Sequence, residues 1–102
     1  MTAMATGMAD VFRALAHEDR LAMLEHLRCA RRGQAGVLEL AEASDISRFA
    51  ASHHLGVLRA AGLIVMTKQS HRHLHRVNGT ALRAIEDWAY RFDPQENTAH
   101  TA

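Results

Sequence analysis

The fold is decided by the segment Leu38–Ile64, which reads LELAEASDISRFAASHHLGVLRAAGLI. It has the apolar spacing of two helices, one on each side of the polar turn Ser44–Ser47. We expect Ser47 to cap the second helix, because its hydroxyl can accept a hydrogen bond from an unpaired backbone N–H of the first turn. That helix is predicted to run to about Ala61 and to stop at Gly62, since glycine often follows the last helical residue.

The second helix of this pair has two sides of different character. Residues one, three and four positions apart share a side of a helix. One side carries Arg48, Phe49, Ser52 and His53, and the opposite side carries Ala51, Leu55 and Leu58. We expect the apolar side to anchor the helix to the core and the other side to be available for binding. For Phe49 the alternative of packing against a neighbouring helix stays open.

A hairpin and a last helix follow. The apolar run Leu63–Thr67 and a second extended run to Val77 predict two strands with a tip near Gln69-Ser70. Asn78-Gly79 ends the hairpin, and Thr80 is placed to cap the last helix. The apolar stripe of that helix consists of Leu82, Ile85, Trp88, Ala89 and Phe92.

Three helical patterns precede the turn: Met8 to about His17, Glu18 to about Cys29, and roughly Val37–Ala43. The stretch Ala30–Gly36 is predicted to be a loop. The chain is therefore expected to be mainly α-helical, with five helices and a two-stranded wing, which is the winged helix-turn-helix architecture. Residues 1–92 are predicted to form this domain, and residues 93–102 a flexible tail.

The charges are distributed unevenly along the chain. Residues 46–85 contain no Asp or Glu but six basic residues: Arg48, Arg59, Lys68, Arg72, Arg76 and Arg83. All eleven acidic residues lie outside this block, so the overall net charge of +1 conceals a strongly basic part. Such a part attracts polyanions, of which duplex DNA is the commonest, although a solvated basic face is the alternative.

Composition restricts the class of protein further. A chain of 102 residues forms one small domain, and 48% hydrophobic residues exclude intrinsic disorder. A single cysteine, Cys29, argues against a disulfide framework and fits a reducing cytoplasm. The sequence also lacks a secretory signal and any apolar run long enough for a membrane span, so we expect a cytoplasmic protein without membrane contact.

The winged architecture predicts double-stranded DNA as the partner. The helix beginning near Ser47 would enter the major groove, where Arg48 can donate two bonds to guanine and Phe49 can touch a thymine methyl. The predicted DNA-binding residues are Ser47, Arg48, Phe49, Ser52, His53, His54, Lys68, Arg72 and Arg76. Of these, the last three would hold phosphates from the wing.

Two strings resemble the ArsR/SmtB family of small bacterial winged-helix repressors. FRALAHEDRLAMLEHL, at Phe12–Leu27, is similar to the family's opening "aladptRl.iL..L", and Leu38–Ile64 is similar to "v.eLa..lg.s.s.vS.HL..L..aGLv". The resemblance covers about Val11–Trp88. It implies a homodimer paired through its first and last helices, an inverted-repeat operator, and repression until an inducer weakens binding. The residues expected at the dimer interface are Phe12, Leu82, Ile85, Trp88 and Phe92.

The metal sites of that family do not match this sequence. Metal-sensing members commonly carry a string like CVCEL at the start of the third helix, where this chain has Gly36–Leu40, GVLEL. Other members use Asp and His on the last helix, which here offers Glu86 and Asp87 but no histidine. The sequence therefore predicts no cofactor and neither of these metal sites.

Several alternatives stay open. His71, His73 and His75 have a strand spacing compatible with metal ligands, and Cys29 lies beside arginines that favour a reactive thiolate. A winged helix that binds an acidic protein is a further alternative. Catalysis is not expected, because Ser52 and His53 diverge by about 100° on a helix and no carboxylate lies in the basic block.

Overall fold

The computed structural model describes residues 7–93. Of the tail predicted for residues 93–102, all but residue 93 lies outside the described residues. In chain order the elements are α1 (Met8–Leu15), α2 (Glu18–Cys29), a 3-10 turn (Arg31–Gly33), β1 (Gln34–Ala35), α3 (Val37–Ser44), α4 (Arg48–Ala60), β2 (Ile64–Gln69), β3 (Arg72–Val77) and α5 (Gly79–Tyr90). The five helices and the winged helix-turn-helix architecture are confirmed.

The sheet has three strands rather than two. Its order is β1-β3-β2 and both pairings are antiparallel. The expectation that Ala30–Gly36 is only a loop is wrong, because Gln34 and Ala35 pair with Arg76 and His75 of β3. Two residues are too few to show the alternation that marks a strand in a sequence.

Local bonds set the ends of α4. The Ser47 hydroxyl accepts a hydrogen bond from the Ala50 amide at 3.0 Å, as expected for the cap. Before it, Asp45 has a φ of 56°, so the chain turns sharply between α3 and α4 through a left-handed residue. After the helix, Gly62 has a φ of +78°, a conformation that strains residues with a Cβ.

The cap of α5 differs from the expectation. Asn78 rather than Thr80 is the N-cap, and its Oδ1 accepts a hydrogen bond from the Thr80 amide at 3.2 Å. The same residue bonds backward: its Nδ2 donates to the Gly62 carbonyl at 3.0 Å and its amide donates to the Leu63 carbonyl at 2.8 Å. One side chain and one amide therefore join the end of α4 to the beginning of α5.

The core lies between α2, α3, α4 and the base of the sheet. Its largest fully buried side chains are Met23, Leu27, Leu40, Leu55, Leu58, Leu63 and Ile64. α4 contributes the apolar side that the sequence predicted, with Ala51, Leu55 and Leu58 all buried. The opposite side of α4 is left at the surface. Within residues 7–93 each helix is too short or too polar to span a lipid bilayer.

Candidate nucleic-acid interface

The first two turns of α4 present a polar and aromatic surface to solvent. Arg48, Phe49, Ser52 and His53 are all exposed, as is the capping residue Ser47. Phe49 is 86% exposed, so within residues 7–93 it does not pack against a neighbouring helix. A phenyl ring held this far into water forgoes the favourable free energy of burial and is accessible to a binding partner. We call Arg48, Phe49, Ser52 and His53 the exposed face of α4.

His54 does not belong to this face. Its side chain is buried, with only 7% of the residue exposed, because position 54 lies one helical turn from both Ala51 and Leu58 on the inner side of α4. The expectation that His54 contacts DNA is therefore corrected: the ring points toward the junction of α1 and α2. The same helical spacing that sorted its neighbours could have placed it there.

A hydrogen-bond network surrounds His54 at this junction. Arg20 lies with Nη1 3.1 Å from His54 Nδ1, and its Nε donates to the Ala14 carbonyl at the end of α1 at 2.6 Å. On the other side of the ring, Asp19 Oδ2 lies 3.7 Å from His54 Nε2, and the His17 ring centroid lies 4.4 Å away. Arg20 thus ties the end of α1 to α4.

The surroundings of His54 favour its neutral form. Burial lowers the pKa of His54 below 6.5, and the neighbouring His17 and Arg20 lower it further, while Asp19 acts in the opposite direction. A neutral imidazole can accept a hydrogen bond from Arg20 at Nδ1, which an imidazolium cannot. The network is therefore matched to an uncharged ring.

The wing cations lie on two faces of the hairpin. Side chains of directly paired residues in adjacent strands share a face, and successive residues of one strand alternate. Lys68 is paired with His73, whereas Arg72 is paired with Gln69 and Arg76 with Val65. Lys68 therefore points to one side of the wing, and Arg72 and Arg76 point to the other. The register rules out a single row of three cations.

Arg72 also has an acidic partner. Its Nη2 lies 2.8 Å from Glu39 Oε1 in the first turn of α3, and that same oxygen accepts a bond from the Gly36 amide. A Cβ at Gly36 would meet Arg72 Nη2 at 3.1 Å and Glu39 Oε1 at 3.3 Å, so glycine leaves space for this contact. Sequence reasoning missed Glu39, because the acid that neutralises part of the basic block comes from outside it.

The wing histidines do not converge. His71 lies in the turn, His73 is exposed on the projecting part of the hairpin, and His75 is buried at its base with 4% exposure. Among the described residues, the one group of three potential ligands with donor atoms close together is His17, Asp19 and His54. The wing metal site is therefore contradicted, because His75 lies in the buried base of the hairpin whereas His73 lies on the part that projects into solvent.

His75 has an unusual environment for a histidine. Its Nδ1 is buried and has no hydrogen-bond partner within residues 7–93. Burial lowers its pKa below 6.5, and the positive charges of Arg59 and His73 lower it further. His75 is therefore a structural, uncharged side chain between Ala35 and Met66.

α1, α5 and the turn after α5 carry an aromatic surface. Phe12 lies edge-on to Trp88 with ring centroids 5.5 Å apart, and Trp88 lies edge-on to Phe92 at 5.0 Å. The three side chains keep 37–66% of their surface exposed, and α5 has no buried residue. Leu82 and Ile85 are half-buried against the core. We call Phe12, Trp88 and Phe92 the aromatic surface.

Cys29, the last residue of α2, is exposed. Its thiol is therefore at the surface, at the C-terminal end of the helix. Next to it, Arg28 is paired with Glu25 at 2.7 Å.

Comparison with known proteins agrees with this geometry. Residues 15–67 match a helix-turn-helix domain family. No curated protein sequence matches the chain significantly. A crystal structure of an ArsR family transcriptional regulator is 28% identical, with 92% of this chain and 91% of that chain covered and a TM-score of 0.72.

Two further solved structures have a stated source. An ArsR-like transcriptional regulator from Rhodococcus sp. RHA1 is 28% identical, covers 92% of this chain and 90% of its own, and has a TM-score of 0.71. A homodimeric winged helix-turn-helix DNA-binding domain from Mycobacterium bovis, described as a possible ArsR-family regulator, is 29% identical with coverages of 90% and 77% and a TM-score of 0.63. With the family match over more than half of its length, this chain belongs to the helix-turn-helix domain family and is a winged helix-turn-helix transcriptional regulator of the ArsR family.

Proposed function

We propose that the protein is a homodimer that binds an inverted-repeat operator in double-stranded DNA and represses transcription. The observation that carries this proposal is the exposed face of α4, where Phe49 is 86% exposed beside Arg48, Ser52 and His53. These side chains stand on a helix whose opposite side is fixed in the core. A rigid helix with free donors and an apolar ring suits the major groove, where both base edges and thymine methyls are accessible.

The roles of the exposed face follow from its chemistry. Arg48 is at the first position of α4 and can donate two parallel bonds to guanine O6 and N7. Phe49 would contact a thymine methyl, and Ser52 and His53 would bond bases or phosphates. At the end of the helix, Ser47 and the free backbone amides of the first turn would bind a phosphate.

Because Lys68 lies on one face of the wing and Arg72 and Arg76 on the other, only one of these two groups would contact phosphates in a given orientation. Lys68 has no ion-pair partner within residues 7–93, whereas Arg72 is held by Glu39. We therefore infer that Lys68 supplies more phosphate affinity than Arg72. Arg76 lies on the same face as Arg72, near the base of the sheet, and is the weaker candidate for reaching DNA.

Pairing of two chains would bury the aromatic surface. Phe12 of α1, Trp88 of α5 and Phe92, just after α5, form a continuous exposed group, and such a group in a small domain is typical of an interaction site. The solved domain from Mycobacterium bovis is a homodimer. Two copies joined through α1 and α5 would present two α4 helices to the two halves of a palindromic site.

The test is selection of bound duplexes from a random DNA library by the purified, reduced protein in the presence of a chelator. The proposal predicts enrichment of an inverted repeat. Absence of any enriched motif would overturn it and would favour an acidic protein as the partner of the basic block. If an inverted repeat is enriched, an inducer can be sought among compounds that release the selected duplex.

A pair of arginine variants makes the test specific to α4. Arg48→Ala should cost about 1–3 kcal/mol of binding free energy and relax the preference at one base position in each half-site. Arg13→Ala is the matched control, because Arg13 is an exposed arginine on α1 that is paired with Asp10. Equal losses for the two variants, without a change in base preference, would contradict the assignment of α4.

A further inference from the structure

The junction of α1, α2 and α4 brings together three side chains that bind transition metals. His17, Asp19 and His54 each offer a donor atom, and the three donor atoms lie within 4.8 Å of one another. His17 precedes α2, Asp19 is in its first turn, and His54 projects from the inner side of α4. Two imidazoles and one carboxylate form a ligand set suited to zinc and similar divalent ions, with a fourth position left for water.

The distances require only a small contraction. In a tetrahedral zinc site with bonds of 2.0–2.1 Å to nitrogen, neighbouring ligand atoms are separated by roughly 3.3 Å. Asp19 Oδ2 and His54 Nε2 are already 3.7 Å apart. Because His17 is exposed and Asp19 is half-exposed, rotation of their side chains can supply the remaining movement around the buried His54.

We propose that His17, Asp19 and His54 form a site for a divalent transition ion of the zinc class, which links the α1–α2 junction to the recognition helix. This place in the fold is different from the third-helix and last-helix positions whose ligands are missing from the chain. All three ligands come from one chain, so the site is complete without a second copy.

Metal binding must compete with hydrogen bonds already present. His17 Nδ1 accepts a bond from the Asp19 amide, and His54 Nδ1 faces Arg20 Nη1 at 3.1 Å. Each neutral ring therefore carries its hydrogen on Nε2. For an ion to bind at Nε2 of either ring, the hydrogen of that ring must move to Nδ1 through solvent. In His17 it then faces the Asp19 amide, and in His54 it faces the Arg20 donor. The ion and the Arg20–His54 hydrogen bond exclude each other.

This competition links the site to α4. Arg20 bonds the Ala14 carbonyl of α1 as well as His54, so loss of the second bond removes the link that Arg20 makes between α1 and α4. His53, on the exposed face, is the next residue in the helix. If the protein binds an operator as proposed above, metal occupancy should therefore change its operator affinity.

The direct test uses Co²⁺ as a spectroscopic probe on the DNA-free protein. One ion per chain is expected, with the visible absorption bands of a four-coordinate cobalt site, and Zn²⁺ should displace it. Because loss of a ligand weakens metal binding by at least about tenfold, His17→Gln and His54→Gln should each reduce the affinity by that factor or more. The controls are His53→Gln, next to the site but outside it, and His73→Gln in the wing.

The variants also separate metal binding from folding. His54 is buried and its replacement can disturb packing, but His17 is exposed and its variant should keep the fold. Binding that survives His17→Gln, or that is lost in His73→Gln instead, would overturn the site. So would the absence of stoichiometric Co²⁺ binding to the wild-type chain.

A second readout follows the hydrogen on His54. Long-range ¹H–¹⁵N spectra should show the Nε2–H form without metal and the Nδ1–H form with Zn²⁺, and an unchanged tautomer would contradict ligation through Nε2. Operator affinity is measured separately, first with chelator and then with Zn²⁺. Metal binding without any change in affinity would refute the coupling to α4, whereas failure to bind DNA even with chelator would refute the proposed function alone.

Discussion

At the scale of single residues, His75 shows how the sheet uses a titratable side chain as a core residue. It is buried between Ala35 and Met66, with Nδ1 unpartnered and Arg59 close enough to disfavour a second positive charge. Because its pKa in the folded chain lies below 6.5, the unfolded chain takes up the proton first as the pH falls. The stability that His75 contributes is therefore full above about pH 6.5 and is lost as the pH falls below it.

We expect the free energy of unfolding to decrease between pH 7.5 and pH 5.5, and to decrease less in His75→Gln. Urea denaturation at the two pH values measures this difference. His71→Gln is the matched control, because His71 is an exposed residue of the same hairpin. An equal decrease in wild type and His75→Gln would show that protonation of other groups controls the acid sensitivity.

At the scale of the elements, replacing the glycine inside α4 and the glycine just after it should have opposite effects. Gly62, just after the helix, has a φ of +78°, and a Cβ there would meet no atom within 4 Å. Gly62→Ala should therefore cost only conformational energy, about 1–2 kcal/mol. Gly56 lies inside the helix with the same free space, so Gly56→Ala should stabilise by about 0.5–1 kcal/mol. Thermal or urea unfolding of both variants checks the two signs, and a stabilised Gly62→Ala chain would contradict the role given to the left-handed turn.

The wing gives a prediction that depends on its register. Lys68→Ala should weaken binding to all duplexes alike. It should also reduce the slope of log affinity against log salt concentration by about the contribution of one phosphate contact. Arg72→Ala should reduce it less, since Glu39 already holds that guanidinium at 2.8 Å. Affinity measured over a series of salt concentrations distinguishes them. If Arg72→Ala had the larger effect, the Glu39 contact would have to open when DNA binds.

The helices could be predicted from the sequence, because their apolar spacing is a local property. The N-cap Ser47 and the stop at Gly62 follow from the same local rules. By contrast, β1 consists of two residues that become a strand only by pairing with β3, and the Arg72–Glu39 contact joins residues 33 positions apart. The exposed positions on α4 follow from helix geometry. The buried position of His54 follows from it too, because its spacing from Ala51 and Leu58 places it on the inner side of the helix, and the expectation of a DNA contact there neglects that spacing.

At the scale of the whole molecule, two exposed aromatic residues have separable roles. Trp88 lies between Phe12 and Phe92 on the aromatic surface, while Phe49 stands alone on α4. Trp88→Ala should raise the dimer dissociation constant by about tenfold or more, because large aromatic side chains dominate such interfaces. Phe49→Ala should leave the dimer intact and reduce operator selectivity. Sedimentation equilibrium and duplex binding measure the two effects, and a Trp88→Ala chain with unchanged association would rule out the aromatic surface as the contact between copies.

Asn78 joins the end of α4 to the beginning of α5 through three hydrogen bonds. If α5 holds two chains together, this residue fixes how far apart and at what angle the two recognition helices stand. An added base pair between the half-sites turns one of them by about 35° around the duplex axis, since a turn of DNA contains about 10–10.5 pairs. With no flexible joint at Asn78 to absorb that rotation, the protein should accept a single spacer length, and the spacing of an operator would be as informative as its bases.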